Sequence, residues 1–465
     1  MTIEEIMSAD RPISEVISDL KQKSISVPSW DKLRKEYNPK EHSVWTDRTY
    51  RDKVVKGEVV RMCRVTLGYE KLATKRMAEL LFGIPCKRIY QDIENDRQKT
   101  ARNIIESIYK KNRINSVNLE RARRLYASCE VMTIWYTQPS HTEYAKIKTN
   151  YKLRCRTFSP MDGAELYPLF DDYDDLIALS VGYSRIIKNT TYHYFETYTA
   201  TEHMRWVSTG GGDWAEDMER EQIYIEKIAG VYAHIPEPVW EDEHSNVEEI
   251  EWTLSRNGNY IRKNSKPTWV EFVDVNEMKT LRGKEEGNSD TTARNVLRYP
   301  KGSEAGYKTW EQSTDANTFH VDTLRKNFFR QLQLPDMSMD EMKNTNMSGE
   351  ARKMMFIDGQ LKVVDEQGVW IEFLHREFAV IKAFAMRMFP EYGAEIESLE
   401  CEVLITPYKV EDEGDKINNY TSATGGKAIM SRRTAIAMLD KVENVDDELD
   451  AIKEEEAADL FEPTM

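Results

Sequence analysis

The chain has 465 residues and a formal charge of −15, with 80 Asp and Glu against 65 Lys and Arg. That balance excludes a surface built for tight, sequence-independent capture of phosphate, which needs clustered cations to displace counterions. Forty per cent of the residues are hydrophobic and ten are Trp, so most of the chain folds, and at about 100–200 residues per domain it forms two to four structural units.

Five cysteines, Cys63, Cys86, Cys129, Cys155 and Cys401, are scattered with no CxxC pair for zinc or redox chemistry. They read as buried thiols in a reducing compartment. The N-terminal Met1-Thr-Ile-Glu-Glu-Ile lacks a basic segment followed by an apolar one, and no window approaches the roughly 18 apolar residues of a membrane span. The expectation is synthesis and use in a cytoplasm, with no membrane partner and no cofactor.

A polar leader is expected through about residue 40. Leu72, Ala73, Met77, Leu80 and Leu81 then share a helical face that Gly83-Ile84-Pro85 stops. Ile104, Ile105, Ile108 and Tyr109 repeat that spacing, as do Val117, Ala122, Leu125, Tyr126 and Cys129, before a β-prone run from Val131 to Tyr136. From Tyr151 to about Tyr232, short aromatic and β-branched runs alternate with turns such as Pro160-Met161-Asp162-Gly163 and Gly210-Gly211-Gly212-Asp213, which predicts an antiparallel sheet with hairpins.

Val247, Ile250, Leu254 and Ile261 suit a helix over 246–263, weakened by about 1 kcal/mol and open to kinking at Gly258. Two strands, 269–273 and 295–299, flank a polar, glycine-containing stretch. The next helix carries Val321, Leu324, Phe328 and Leu332 and ends before Pro335, because proline cannot continue the hydrogen-bond ladder. After a loop rich in Met and Asn comes the strongest periodic signal: Ile357, Leu361, Val364, Ile371, Leu374, Phe378, Ile381, Ala385 and Met388 follow steps of three and four. A strand at 401–405, a short helix capped by Ser431 and an acidic helix from Asp446-Asp447 to Leu460 complete a mainly helical α+β chain.

Catalytic signatures are missing. Gly426-Lys427 is followed by Ala428, so the phosphate-cradling loop pattern fails. Gly210-Gly211-Gly212 leads to Asp213 and Glu216, whose charges repel a phosphate, and reads as a hairpin tip. Asp171, Asp172, Asp174 and Asp175, and Glu241, Asp242 and Glu243, are candidates for Mg²⁺ or Ca²⁺ but read as solvated loops. His193, His203, His234, His320 and His375 fall in no ligand spacing and are expected to be structural. Arg325, Lys326 and Arg330 are candidates for pairing with a neighbouring subunit rather than with DNA.

Leu332-Gln-Leu-Pro-Asp-Met-Ser and Asn346-Met-Ser-Gly-Glu-Ala351, followed by the long amphipathic helix, resemble the tunnel-loop region of tailed-phage portal proteins of the siphophage type. In that family a helix ends at Pro-Asp, a polar loop follows, and a Ser-Gly-x-Ala motif, here Ser348, Gly349 and Ala351, opens the next helix. Leu80-Leu81-Phe82-Gly83-Ile84-Pro85, Ser431-Arg-Arg-Thr-Ala435 and Val445-Asp-Asp-Glu-Leu449 resemble further family segments in the same order.

The resemblance implies a portal fold: a wing over 41–245, stem helices at 246–267 and 316–334, a clip at 268–315, a tunnel loop at 335–347, a long wing helix and return strand over 348–407, and a crown at 408–465. It implies a closed ring, usually a dodecamer, at one capsid vertex of the virion, assembled in the host cytoplasm and serving genome packaging, retention and ejection. The tunnel loop would present Asp336, Met337, Met339, Met342, Lys343, Asn344, Asn346 and Met347 to double-stranded DNA, transiently and without reading sequence. Trp269, Phe272 and Tyr299 become clip candidates for docking partners. Those partners are the terminase large subunit, the major capsid or scaffolding protein, and a head-completion or adaptor protein. The alternatives are another virion structural subunit, such as a capsid or adaptor protein, or a metal-dependent nuclease using the acidic clusters; the portal reading implies no enzymatic activity.

Overall fold

The computed structural model describes residues 3–6, 11–23, 25–55, 58–91, 93–210, 213–264, 269–273, 296–300, 302, 314–336, 354, 356–408, 413–425, 427–439 and 445–459. The chain divides into two compact units, residues 1–334 with 361–407, and residues 335–360 with 408–465.

In the first unit, residues expected as a polar leader contribute to the core. Helices α1 (Ile3–Ile6) and α2 (Ile13–Leu20) bury Ile6, Val16, Ile17 and Leu20 against Phe195, Met204 and Trp206. Acids and serines interleave these apolar positions, so the segment is polar in composition and amphipathic in space. Helices α3 (Trp30–Tyr37) and α4 (Ser43–Thr46) bury Leu33 and Val44, and strands β1 (Lys53–Val55) and β2 (Glu58–Val60) form an antiparallel pair.

Helix α5 (Tyr69–Phe82) buries Ala73, Met77, Leu80 and Leu81, as its spacing predicts. After β3 (Lys87–Tyr90), α6 (Asp96–Lys111) opens on a reciprocal cap between Asn95 and Gln98 and buries Ile104, Ile105, Ile108 and Tyr109. Helix α7 (Ile114–Ser128) packs on α5 and stops at Cys129, whose φ of 62° lies in the left-handed region.

Strands β4 (Glu130–Tyr144) and β5 (Ile147–Phe158) form a long hairpin. Strands β6 (Glu165–Phe170), β7 (Leu176–Ile187), β8 (Thr190–Tyr198) and β9 (Glu202–Thr209) form an antiparallel meander, to which β10 (Ala215–Glu216) and β11 (Glu221–Gln222) add along β9. Strand β12 (Gly230–His234) pairs with the free edge of β4. The hairpins expected between Tyr151 and Tyr232 are therefore present. One face of the meander, with Phe195, Met204 and Trp206, is covered by α2, while Leu179, Val181 and Tyr198 on the other pack against Met132, Ile134 and Phe158 of the three-stranded sheet.

Helix α8 (His244–Asn264) runs unbroken through Gly258. Strands β13 (Trp269–Val273) and β14 (Val296–Pro300) pair in parallel, an orientation that needs a long crossover. Helix α9 (Thr314–Gln331) packs against α8. The long helix α10 (Ile357–Met388) buries Leu374, Phe378, Ile381 and Ala385 as the pattern predicts, whereas Ile357, Leu361 and Val364 are 46%, 55% and 56% exposed. Helix α11 (Gly393–Glu397) leads to β15 (Cys401–Leu404), which pairs antiparallel with β3.

The second unit is small and helical. Helices α12 (Glu413–Thr424), α13 (Arg432–Leu439) and α14 (Val445–Asp459) touch in succession. Ser431 Oγ accepts from the Thr434 amide at 3.2 Å, capping α13 as expected.

Candidate functional site

Helix α9 buries Phe328 and stacks it on Tyr69, with ring centroids 5.1 Å apart, and Leu332, just past the helix end, is buried as well. Its end is built locally: Gln333 adopts φ 54°, Leu334 N donates to Phe329 O at 3.0 Å, and Pro335 follows. Lys326 and Arg330 are exposed on this helix, while Arg325 is half-buried and already has a partner. Asp336 is half-buried and also engaged. Met337, Met339, Met342, Lys343, Asn344, Asn346 and Met347, with Ser348, Gly349 and Ala351, lie outside the described residues. Trp269 and Phe272 on β13 and Tyr299 on β14 share one strand pair, with Phe272 opposite Tyr299.

Helix α8 is fixed by a ladder that periodicity did not reveal. Asn259 Oδ1, Ser255 Oγ and Glu251 Oε1, four residues apart on one face, accept from the amides of Cys63, Val65 and Leu67 at 2.7, 2.8 and 2.6 Å. Alternate amides of an extended segment thus meet successive turns of the helix. Gly258 lies where a Cβ would sit 2.5 Å from Cys63 Sγ. The glycine is there for this close approach. Gly258→Val is expected to cost about 1–3 kcal/mol through overpacking, measured by urea unfolding; unchanged stability would show that Cys63 moves aside freely.

The base of α8 joins a buried acid–imidazole network. His42, 4% exposed, places Nδ1 2.8 Å from Glu251 Oε1 and Nε2 2.6 Å from the Glu36 carbonyl oxygen. The Glu36 carbonyl only accepts, and an ionised Glu251 does too, so the arrangement favours an imidazole that donates from both nitrogens and carries charge. Burial opposes that charge, but the Glu251 hydrogen bond, the nearby Glu70 and Glu251 carboxylates and the Glu36 carbonyl raise the pKa overall. His244 behaves alike: burial opposes the charge, and Glu70, 3.1 Å from Nδ1, outweighs it.

A second buried charge pair ties α7 to α10. Arg121 Nη2 lies 2.7 Å from Glu377 Oε1, with both side chains fully buried. Trp135 Nε1 donates to the same oxygen at 3.0 Å, and Arg121 Nη1 donates to Asn118 Oδ1 at 2.9 Å. Nothing in a sequence pattern marks a glutamate on an amphipathic helix as buried; it occupies the core-facing turn between Leu374 and Ile381.

Of the remaining candidates where described, some make local contacts and the others, among them His375, are simply exposed. His193 bonds Ser184 at 2.8 Å, His203 meets Glu221 at 3.4 Å, His234 stacks on Tyr232, His320 meets Glu249 at 3.4 Å, and His375 is exposed. Glu241 accepts from Lys32 at 3.2 Å, Glu243 is buried beside Asn246, and Asp242 is exposed. Asp172, Asp174 and Asp175 are exposed and Asp171 half-buried. Among the described residues, no group of three or more His, Cys, Asp or Glu is placed to hold a metal ion, and no helix is long and apolar enough to cross a membrane. All five cysteines are free thiols; Cys86, Cys129 and Cys401 are buried as expected, whereas Cys63 and Cys155 are half-buried, and burial pushes the Cys86 thiol up to about 11.

No curated protein sequence matches the chain significantly. Similar solved structures include a chain of the virion of a native gene transfer agent particle, with 8% identity, TM-score 0.34, and coverage of 80% of this chain and 88% of that one. Another is a chain from the neck of an empty gene transfer agent particle computed with C6 symmetry, with 10% identity, TM-score 0.33, and coverage of 92% and 98%. The family model described as phage portal protein, SPP1 Gp6-like, matches residues 20–460. With nearly the whole chain matched, the protein belongs to the phage portal protein family, a structural and non-enzymatic component of the virion.

Proposed function

We propose that copies of this chain close into a ring at one capsid vertex and form the channel through which double-stranded DNA is packaged, retained and ejected. The observation that carries this reading is the family match across residues 20–460. The pairing of α8 with α9 supports it, because these helices take the place of a stem leading to Pro335 and the tunnel loop. Helices with a narrow apolar face complete their burial when ringed by copies of themselves.

In this reading the wing comprises residues 41–245 and 348–407, the clip 268–315 and the crown 408–465. The loop from Asp336 to Met347 faces DNA; Lys343 is its one cation, and Met337, Met339, Met342 and Met347 give it an uncharged, adaptable surface. Such a surface tolerates a duplex whose symmetry differs from that of the ring and makes no base-specific contact. Lys326 and Arg330 meet carboxylates of the neighbouring subunit, and the strand pair carrying Trp269, Phe272 and Tyr299 docks the terminase large subunit or an adaptor.

Electron microscopy of the purified protein tests the reading. Discrete rings with a central hole, a dodecamer by mass, are the expected result; a protein that stays monomeric at every concentration would defeat it. Incubation with DNA, ATP and Mg²⁺ is expected to give no turnover, since the motor's ATPase belongs to the terminase partner.

A further inference from the structure

We infer that an acidic aromatic loop of one copy seats in an arginine-lined cavity of the next, a contact that joins neighbours through their sheets. The setting rests on the ring proposed above; the contact itself is read from two surfaces of the first unit.

The first surface is a cavity of about 680 Å³ between the two sheets, closed on a third side by the end of α10 at Phe384 and Met388. That volume is in the range of a ligand pocket. Arg156 lies 4.3 Å from the centroid of the Phe158 ring and 4.8 Å from that of Tyr183, and Arg185 lies 5.2 Å from the same Tyr183 centroid. Among the described residues neither guanidinium enters an ion pair. Arg205 and Arg387, also at the cavity, are paired with Asp217 and Glu226.

Two carboxylates already line the cavity, and both are engaged: Glu221 meets His203 at 3.4 Å. Glu196 accepts from Tyr183 and Tyr198 hydroxyls at 2.5 and 2.6 Å. Burial opposes its charge, but these bonds and His203 hold its pKa down at about 2. Strand β5 extends the cationic surface: Lys152, Arg154 and Arg156 share a face by strand alternation, opposite the uncharged Gln138, Tyr136 and Ile134 of β4. In a chain of charge −15, this local excess of cations fits an anionic partner, and the aromatic floor fits a ring.

The second surface is the β6–β7 loop, Asp171-Asp172-Tyr173-Asp174-Asp175. Asp171 Oδ1 accepts from the amides of Tyr173 and Asp175, both at 2.9 Å, and Asp174 takes φ 63°. The turn so closed leaves Tyr173 88% exposed among four carboxylates. An exposed Tyr with flanking anions is the chemical complement of arginines stacked on aromatics, and Tyr and Arg, with Trp, are enriched among the residues that dominate interface energies.

A copy does not fill its own cavity. The loop precedes Leu176 at one end of β7, whereas Tyr183 and Arg185 lie near the other, and the nine residues from 176 to 185 span on the order of 30 Å. Complementary patches at opposite ends of one strand make a head-to-tail contact, the type that closes into rings.

Two sets of variants test the contact. Tyr173→Ala, Asp172→Lys with Asp174→Lys, and Arg156→Glu with Arg185→Glu are each expected to weaken subunit association by about tenfold or more, read by mass photometry. Combining the two charge reversals is expected to restore assembly. Mixed Tyr173→Cys and Arg185→Cys copies are expected to form a disulfide-linked dimer that neither forms alone. The loop residues are exposed, so the loop variants keep the unfolding midpoint and carry the test even if the arginine variants misfold. Normal rings from all reversals with no cross-link would overturn the contact and leave the ring intact. If the wild type forms no ring, the ring reading fails, and the cross-link in the mixture still decides the contact.

Discussion

Replacing Arg121 by alanine is expected to lower the stability of the first unit by about 3–5 kcal/mol, seen as a lower urea midpoint in the unassembled subunit. The reason is the pairing with Glu377, in which neither side chain has any exposure. Without Arg121 the carboxylate keeps only the Trp135 hydrogen bond and becomes a buried charge with no counter-ion. Glu377→Ala strands Arg121 in the same way. Replacing both, Arg121→Met with Glu377→Leu, is expected to cost clearly less than either truncation, because the desolvation of two charges is removed along with their attraction. Single variants within about 1 kcal/mol of wild type would mean that water reaches the pair.

The second large effect is a dependence on pH. With Nδ1 on Glu251 and Nε2 on the Glu36 carbonyl, His42 is a donor on both sides, and its pKa is raised despite burial. A group whose folded pKa lies above its unfolded value of about 6.5 contributes its full stabilisation below that value and loses it as the pH rises through the folded pKa. His244, also raised, acts in the same direction through Glu70. Urea midpoints measured from pH 6 to pH 9 should therefore fall with rising pH, and the fall should shrink in His42→Gln. Glu251→Ala removes the acceptor of both His42 and the Leu67 amide and is expected to cost about 3 kcal/mol near pH 6, since a buried cation is left without its partner. A wild-type midpoint that is flat or rises across this window would contradict the assignment of His42 as an imidazolium.

Both effects arise from charges that the sequence could not place. Periodicity was sufficient for α10 from Leu374 to Ala385, for α6, and for the hairpins of the meander, because those segments bury one face and the buried positions are apolar. It failed where polar residues take core positions. Glu377, Glu251 and Ser255 are buried because each finds a particular partner distant in sequence, and partner choice is a tertiary property. Gly258 looked like a weakness in a helix until Cys63 was seen against it. Residues 13–20 looked like a leader because their apolar positions are spaced by acids. The exposed Ile357, Leu361 and Val364 show the converse error, since a continuous stripe along α10 does not mean a continuously buried one. Of the proposed channel site, the end of α9 and the break at Gln333 and Pro335 are seen, and the residues from Met337 to Met347 lie outside the described ones.

Imaging of intact particles tests the central claim most directly. The account predicts this chain as a closed collar where the tail joins the head, with the segment after Pro335 at the narrowest point around the duplex. Finding it spread over the shell, or absent from that vertex, would contradict the account.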